Sequence, residues 1–485
     1  MVSLAYADLA VLLGTDAAED ESDARLRAYF LKTPAYTQVA NPDRGLRVVV
    51  GNKGTGKSAI FRVAALEDRA AGRLPIEVRP DDLTDVAQGN LNYLQLVAAW
   101  KKGLAEVIIE KSLKALGEAD DKFFGKAKRK SGRVLDVIQK SLGDEVKGFK
   151  LDAARAEAAH AFMAGQELTL YLDDLDRGWR GTKTDAQRYG AMFDAIRDIQ
   201  RENDTLRVRV GLRTDLYALI RSTDPSSDKW QSNVVHHTWS NHETFVLLVK
   251  RIASYFDTQH DWDELLRRPQ QQSAHLLSPI LDWHYKGKGL WHKKPMYNVV
   301  MSFARRRPRD LVVLLNLAGQ RAQSLKHAVI ETDDLHHSFP RFSEERLTDI
   351  VNEFGLEARG LGNFLLKLKP SKVERTTAEN YLLSTDAMLK RVTQALDQAP
   401  LTFADGTLPT ATTVLGFLYR IDFLQARKTA ASGVIERMYF DQNRLLTPDK
   451  IDLGYSWEIH VAFRWVLQPD DEDDIFKFVS PESTD

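Results

Sequence analysis

The chain has 485 residues, a formal charge of −1, 43% hydrophobic and 28% charged residues. That length exceeds one ordinary core and suggests about three domains. The near-zero charge excludes a global electrostatic pull toward nucleic acid or anionic lipid, so any such contact needs a local patch. Cysteine is absent, which excludes disulfides, thiolate metal sites and a cysteine nucleophile. The start of the chain lacks the basic-then-apolar form of a signal peptide, and no apolar run approaches about 20 residues. A cytoplasmic protein with no membrane span is therefore expected.

Residues 17–31 read as one helix with acids in its first turn and Leu26, Tyr29 and Phe30 on one face. A turn, Asn41-Pro42-Asp43-Arg44-Gly45, closes this lead-in, which is expected to pack against the domain that follows. Next comes the stretch that carries the chemistry. The apolar run Val48-Val49-Val50 precedes Gly51-Asn52-Lys53-Gly54-Thr55-Gly56-Lys57-Ser58, and an amphipathic helix opens at Ala59. G-x-x-x-x-G-K-S between a strand and a helix is the P-loop pattern. Its glycines let backbone N–H groups converge on phosphate oxygens, and the helix N-terminus favours the same anion. Lys57 is expected to reach the β/γ-phosphates of ATP and Ser58 to place its hydroxyl on Mg²⁺, with residues Gly51 to Ala59 lining the cradle.

A second short strand is expected over residues 76–80. Leu94, Val97, Trp100, Leu104, Val107 and Ile108 then recur at helical spacing. Lys122, Lys126, Lys128, Arg129, Lys130 and Arg133, with Phe123 and Phe124 among them, form a basic run. It reads either as a nucleic-acid or partner contact or as a solvated loop between helices. Residues 168–172 form an apolar, β-prone strand that ends in Asp173-Asp174-Leu175-Asp176. Paired with an upstream P-loop this is the Walker B arrangement: Asp173 toward the metal, Asp174 toward the attacking water. Asp176 reads as a helix N-cap ahead of a second-shell role. A third strand, 206–212, ends in Arg213-Thr214, either of which would stand where a γ-phosphate is sensed. A fourth strand is expected at 233–238, and a helix follows over 241–255 with Phe245, Leu248, Val249 and Ile252 on one side.

From about residue 256 the pattern is helical. Arg305-Arg306-Arg307-Pro308-Arg309-Asp310 opens an apolar helix, with proline suited to its first turn. Arg309 is the better candidate for an arginine that reaches back to the phosphates; contact with a neighbouring subunit is the other reading. Thr332 ahead of Asp333-Asp334 reads as a cap. Residues 347–354 and 378–396 read as helices, and 414–419 is helical before strands at 423–427 and 434–440. Trp457 to His460 reads as the lead-in to a last apolar helix. Helix, two-stranded wing, helix fits a winged-helix-like module, with Arg427, Lys428 and Arg437 giving the wing some positive charge. His460 reads as structural. The domain boundaries expected are 1–45, 46–245 with a helical insertion at about 90–160, 246–340 and 341–485.

Together these motifs resemble bacterial P-loop ATPases near the AAA-like, KAP-like and STAND-like groups. The matching pieces are AED…YFLKT, VVVGNKGTGKSAI, LYLDDLDRGW, VGLRTDLY, HHTWSNHETFVLLVKRI around Trp239, and RRRPRDLVVLLN, spanning residues 18 to about 320. FLYRIDFL and WEIHVAFRW are similar to the C-terminal part of such proteins. The resemblance implies a three-layer αβα nucleotide domain of the additional-strand type, a helical lid and ATP-driven changes of a homo-oligomer. It also implies a place in anti-phage systems beside a protein effector. The second Walker B acid is Asp174, not the glutamate usual in AAA+ machines, which favours a slow switch over fast hydrolysis. An ATP-hydrolysing switch is the expectation. A nucleic-acid-binding regulator that keeps nucleotide as a structural ligand, and a scaffold that sequesters a partner, are the rivals.

Overall fold

A computed structural model describes residues 4–15, 18–84, 86, 89, 91–118, 167–177, 180–201, 205–223, 225–377, 380–429, 435–442, 454–468, 475, 476 and 479. The chain forms two compact units. One, the sheet unit, comprises Lys32–Asn52 and Gly56–His237; the other, the helical unit, comprises Met1–Leu31, Lys53–Thr55 and Thr238–Asp485. Among the described residues no helix is long and apolar enough to cross a membrane.

The sheet unit is built on five parallel strands: β1 (Leu46–Val50), β2 (Leu74–Val78), β3 (Leu168–Leu172), β4 (Leu206–Leu212) and β5 (Val234–His236). Their order is β2-β3-β4-β1-β5, so β4 lies between the P-loop strand and the strand that carries the acids. This is the additional-strand arrangement. Every residue of β1 and of β3 is buried, as expected where helices cover both faces of a parallel sheet. On one face Val48, Val50 and Leu170 pack with Leu104 and Ile108 of helix Tyr93–Glu118 and with Phe193 and Ile196 of helix Lys183–Arg201. On the other face Tyr171 meets Phe61 of helix Lys57–Ala70, ring centroids 5.5 Å apart, and its hydroxyl donates to Asp68 Oδ2 at 2.8 Å. The result is a three-layer αβα core. The strands expected at 76–80, 168–172, 206–212 and 233–238 all appear, with shifts of a residue or two at their ends.

One buried charge organises the entry to β1. Arg209, on β4, donates to the carbonyls of Val39 (2.6 Å), Asn41 (2.9 Å), Arg44 (3.0 Å), Gly45 (3.1 Å) and Val208 (3.1 Å). Burial pushes its guanidinium down to about 10. The carbonyls of the 41–45 turn thereby gain the partners that buried backbone requires.

The helical unit has its own core, in which Leu4, Leu9, Leu12, Leu13 and Leu31 join Phe245, Leu248, Leu311 and Leu315. Helix Leu9–Leu13 packs on Asn241–Tyr255 and Pro308–Ser324. The lead-in therefore divides: helix Pro34–Ala40 belongs to the sheet unit, where it packs on helix Lys57–Ala70. The single helix expected over 17–31 is also broken. Ser22 caps Asp23–Tyr29 by accepting from Arg25 N–H, and a short turn, Ala18–Asp20, precedes it. Helix Thr332–Phe354 includes the stretch expected at 347–354, but its N-cap is Glu331, not Thr332. Glu331 and Asp334 satisfy each other's backbone donors in a capping box.

At the C-terminal end, helices Thr385–Gln398 and Ala411–Arg420 are followed by the hairpin Leu424–Thr429 and Ile435–Met438. A third strand, Ser456–Ile459, pairs antiparallel with Leu424–Thr429. The wing expected from the sequence is present, and Trp457 to His460 leads into the last helical segment, Val461–Phe463 and Arg464–Leu467, as expected. The sequence does not signal that Ser456–Ile459 is itself a strand. Its alternation is hidden because Glu458, polar by type, is buried among Arg427, Arg437 and Arg464 at 3.1, 2.8 and 2.9 Å.

Candidate nucleotide-binding site

Parallel strands deliver their connecting loops to one edge of the sheet, where ligands of such folds bind. The loop after β1 is anchored by Gly51 N–H to Leu212 O at 3.1 Å. Gly54 (φ 82°) and Gly56 (φ 95°) take the left-handed conformation that only glycine adopts at no cost. Gly56 is the N-cap of helix Lys57–Ala70 and supplies no side-chain cap, so the first-turn N–H groups face the loop. Lys57 Nζ donates to the carbonyls of Gly51 (2.8 Å) and Asn52 (3.1 Å). Gly51 and Thr55 are buried, Lys53 is exposed, and Asn52, Gly54 and Gly56 to Ala59 are half-buried.

The acids follow β3. Asp173 is held at its backbone by Val78 O, 3.2 Å from its N–H, and its carboxylate is hydrogen-bonded to Ser58 beside Lys57. Burial pushes the Asp173 carboxyl above its ordinary range, against the opposing pull of Ser58 and Lys57, while the charge of Asp174 pushes the same way as burial. Gly211, in β4, makes room for this carboxylate: a Cβ there would stand 2.8 Å from Asp173 Oδ1 and 3.2 Å from Phe61. Asp174 is exposed and has φ 55°, a conformation that costs a non-glycine residue energy and tends to persist at functional sites. Ser58 and Asp173 together offer two hard oxygens side by side. That set fits Mg²⁺, which takes one or two protein oxygens and completes its shell with phosphates and water.

Arg213 follows β4 and is buried. It grips Asp215 in bidentate fashion, Nε to Oδ1 2.9 Å and Nη2 to Oδ2 2.6 Å, and lies 3.4 Å from Asp176 Oδ2. Asp176 is thus not a helix cap: the next described helix begins at Lys183, and the carboxylate serves as a second counter-ion to Arg213. Thr214 is buried at the start of helix Thr214–Thr223.

Within the helical unit the loop tip has its own neighbours. Trp239 Nε1 donates to Thr55 O at 2.7 Å, and Arg309 N–H lies 3.4 Å from Gly54 O. A Cβ on Gly54 would come within 3.1 Å of Arg309 Cβ. The four arginines of RRRPR separate by role. Arg305 is bidentate on Asp310 (2.7 and 3.0 Å), Arg306 donates to Trp239 O (2.7 Å) and Arg307 binds Asp422. Arg309 is half-buried, and its guanidinium has no ion pair among the described residues. Sequence reasoning missed Gly211, Asp310 and the indole of Trp239. A glycine inside a strand is a signal that something approaches closely; the other two carry no local signature.

The remaining candidates lie elsewhere. The basic run from Lys122 to Arg133, with Phe123 and Phe124, falls outside the described residues. Arg427 and Arg437 turn inward to Glu458, whose carboxyl three arginines hold well below the usual range. The wing therefore presents less positive charge than its sequence suggests. His460 is structural, as expected: it is buried, accepts from Ala462 N–H at 3.1 Å, and is kept neutral by burial and by Arg305 and Arg464.

Residues 284–351 match a FunZ-associated C-terminal helical domain. This segment contains the whole of RRRPRD. No curated protein matches the chain. Among solved structures it is similar to the Aeropyrum pernix ORC2 protein in its ADPNP-ADP complexes, at 13% identity over 94% of this chain and 97% of that one, TM-score 0.39. It is similar also to the Aeropyrum pernix ORC1 protein in complex with DNA, at 14% identity over 96% of each chain, TM-score 0.35. The Thermotoga maritima RuvB Holliday junction branch migration motor aligns at 11% identity over 88% of this chain and 95% of that one, TM-score 0.32.

Proposed function

We propose that this protein is an ATP-binding, ATP-hydrolysing switch. The observation that carries the reading is the hydrogen bond between Ser58 and the Asp173 carboxylate beside Lys57, on a sheet of order β2-β3-β4-β1-β5. It brings together, across more than a hundred residues, the hydroxyl, carboxylate and ammonium that a magnesium triphosphate needs. Gly51 to Ala59 hold the phosphates through loop amides, and Lys57 exchanges its loop carbonyls for β/γ-phosphate oxygens. Ser58 and Asp173 hold Mg²⁺, which when bound neutralises developing charge on the phosphates. Asp174 orients the attacking water. Arg213, fixed by Asp215 and Asp176, stands at the strand end where the γ-phosphate is read, and Arg309 reads phosphate from its place at Gly54. Catalysis in this scheme is positioning and electrostatics.

The motif set resembling AAA-like, KAP-like and STAND-like ATPases supports a homo-oligomer that controls a protein effector in anti-phage defence. It also supports the domain division at 45, 245 and 340, with a cytoplasmic location. A nucleic-acid-binding regulator is the second reading. The wing hairpin favours it, and the inward turn of Arg427 and Arg437 makes it the weaker one.

Lys57→Ala is expected to weaken ATP binding about 10- to 100-fold, the worth of one or two charge-assisted hydrogen bonds. Asp174→Ala is expected to retain bound ATP and lose turnover about 100-fold or more. Equilibrium binding of a fluorescent ATP analogue and phosphate release measure the two. Wild-type affinity and turnover in both variants would remove the assignment.

A further inference from the structure

Three consecutive arginines before helix Pro308–Ser324 each reach a different part of the helical unit. Arg305 is buried against Asp310, which also accepts from Arg346 Nη1 at 2.8 Å. Arg306 holds the main-chain carbonyl of Trp239, whose indole holds Thr55 O at the loop tip. Arg307 binds Asp422, which sits between helix Ala411–Arg420 and strand Leu424–Thr429 at the root of the wing. Arg306 also lies over the ring of Tyr439, 6.0 Å from its centroid, and Tyr439 Oη is 3.2 Å from His460 Nε2. Thr55, Trp239, the three arginines, Asp422 and Tyr439 all belong to one compact unit.

The backbone is unusual at both ends of this chain of contacts. Arg305 (φ 42°), Arg306 (φ 54°) and Asp422 (φ 56°) all occupy the left-handed region. Two adjacent arginines there are held against their own preference by the ion pairs and hydrogen bonds of their side chains. A segment so held has a natural second arrangement: if Trp239 moves, the Arg306 anchor goes with it, and the strained 305–306 backbone can relax.

We propose that Arg305-Arg306-Arg307 is a relay that transmits the state of the phosphate loop at Thr55, through Trp239, to the turn at Asp422 and so to the C-terminal wing. Arg306 and Asp422 are its positioning residues. The relay rests on the nucleotide reading above and adds what that reading lacks, the output end of the switch. A contiguous network is a physical route for coupling; the coupling itself is what an experiment measures.

The test is amide hydrogen exchange on the full chain with and without Mg²⁺ and a non-hydrolysable ATP analogue, alongside equilibrium binding of that analogue. In the wild type the analogue is expected to change exchange about 5-fold or more at residues 411–429 and 435–442, the low end of ordinary allosteric coupling. Arg306→Gln and Asp422→Asn are each expected to bind the analogue as the wild type does and to lose that distal response. The double variant should lose no more than either single one. Should Asp422→Asn fail to fold, because it leaves Arg307 buried without its partner, the half-buried Arg306→Gln decides alone. Analogue binding without a distal response in the wild type, or a full response in Arg306→Gln, overturns the relay and leaves the nucleotide reading standing. Failure of the wild type to bind the analogue overturns both.

Discussion

Gly211 shows how narrowly the acidic strand end is accommodated. A methyl group there would meet Asp173 Oδ1 at 2.8 Å and the Phe61 ring at 3.2 Å, and neither can retreat without moving Ser58 or the helix behind the loop. Gly211→Ala is expected to cost about 1–3 kcal/mol by overpacking and to lower Mg²⁺-dependent turnover; urea denaturation and phosphate release read the two effects separately. Asp173 itself sets a pH limit. Its carboxyl is raised by burial, so it takes a proton at a higher pH than an ordinary aspartate, and only the ionised form holds Mg²⁺. The acid limb of Mg²⁺-dependent ATP hydrolysis should therefore lie above the normal carboxylate range. Stability runs the other way: a folded-state acid pKa above its unfolded value favours folding as pH falls through it. A pH profile of turnover, and the pH dependence of the difference in thermal stability between wild type and Asp173→Asn, read the two effects; a stability difference that does not change across the acid range would refute the raised carboxyl. At this scale the loop and Asp173 were legible because their chemistry demands fixed residue types beside fixed elements. Gly211 and the pairing of Asp176 with Arg213 were not, because their partners are remote in sequence.

The strands of the sheet unit could be read from the chain because β-branched and apolar runs bounded by turns describe little else. One strand escapes such a reading for a different reason, a polar residue whose partners are supplied from afar. Ser456–Ile459 does lead into the last helix, but its own strand character is hidden because Glu458 looks solvent-facing while its carboxylate lies inside. Three arginines converge on it at 2.8–3.1 Å, and only the fold brings them there. Glu458→Gln is expected to destabilise the wing by about 3–5 kcal/mol, since it strands buried cations. Limited proteolysis of the hairpin and chemical denaturation would detect it. Glu458 is held low, so its contribution is present above the ordinary glutamate range and is lost only as pH falls through the depressed value. The wing should therefore resist mild acid, and Glu458→Gln should lower its stability by a similar amount at every pH above that value, the gap to wild type closing only in strong acid.

At the scale of the molecule the chain divides into two cores, and residues 1–31 belong to the one that begins again at Thr238. Local patterning shows that a helix has an apolar face but not which distant face it meets, so the sequence alone points the lead-in toward its neighbour in the chain. If the sheet unit is an ATP-driven switch in a homo-oligomer, the mass of the particle in solution should change with ATP and Mg²⁺. It should not change for Lys57→Ala; light scattering after size exclusion measures both, and one unvarying mass would leave a monomeric binder. The grip of Arg209 on five carbonyls bears on how force travels in such a machine. The strand that carries the loop is moored at its upstream end, to the neighbour it is paired with along its length. A pull on the loop would thus be borne by β1 and β4 as a pair, through the mooring at one end and the ladder along their length.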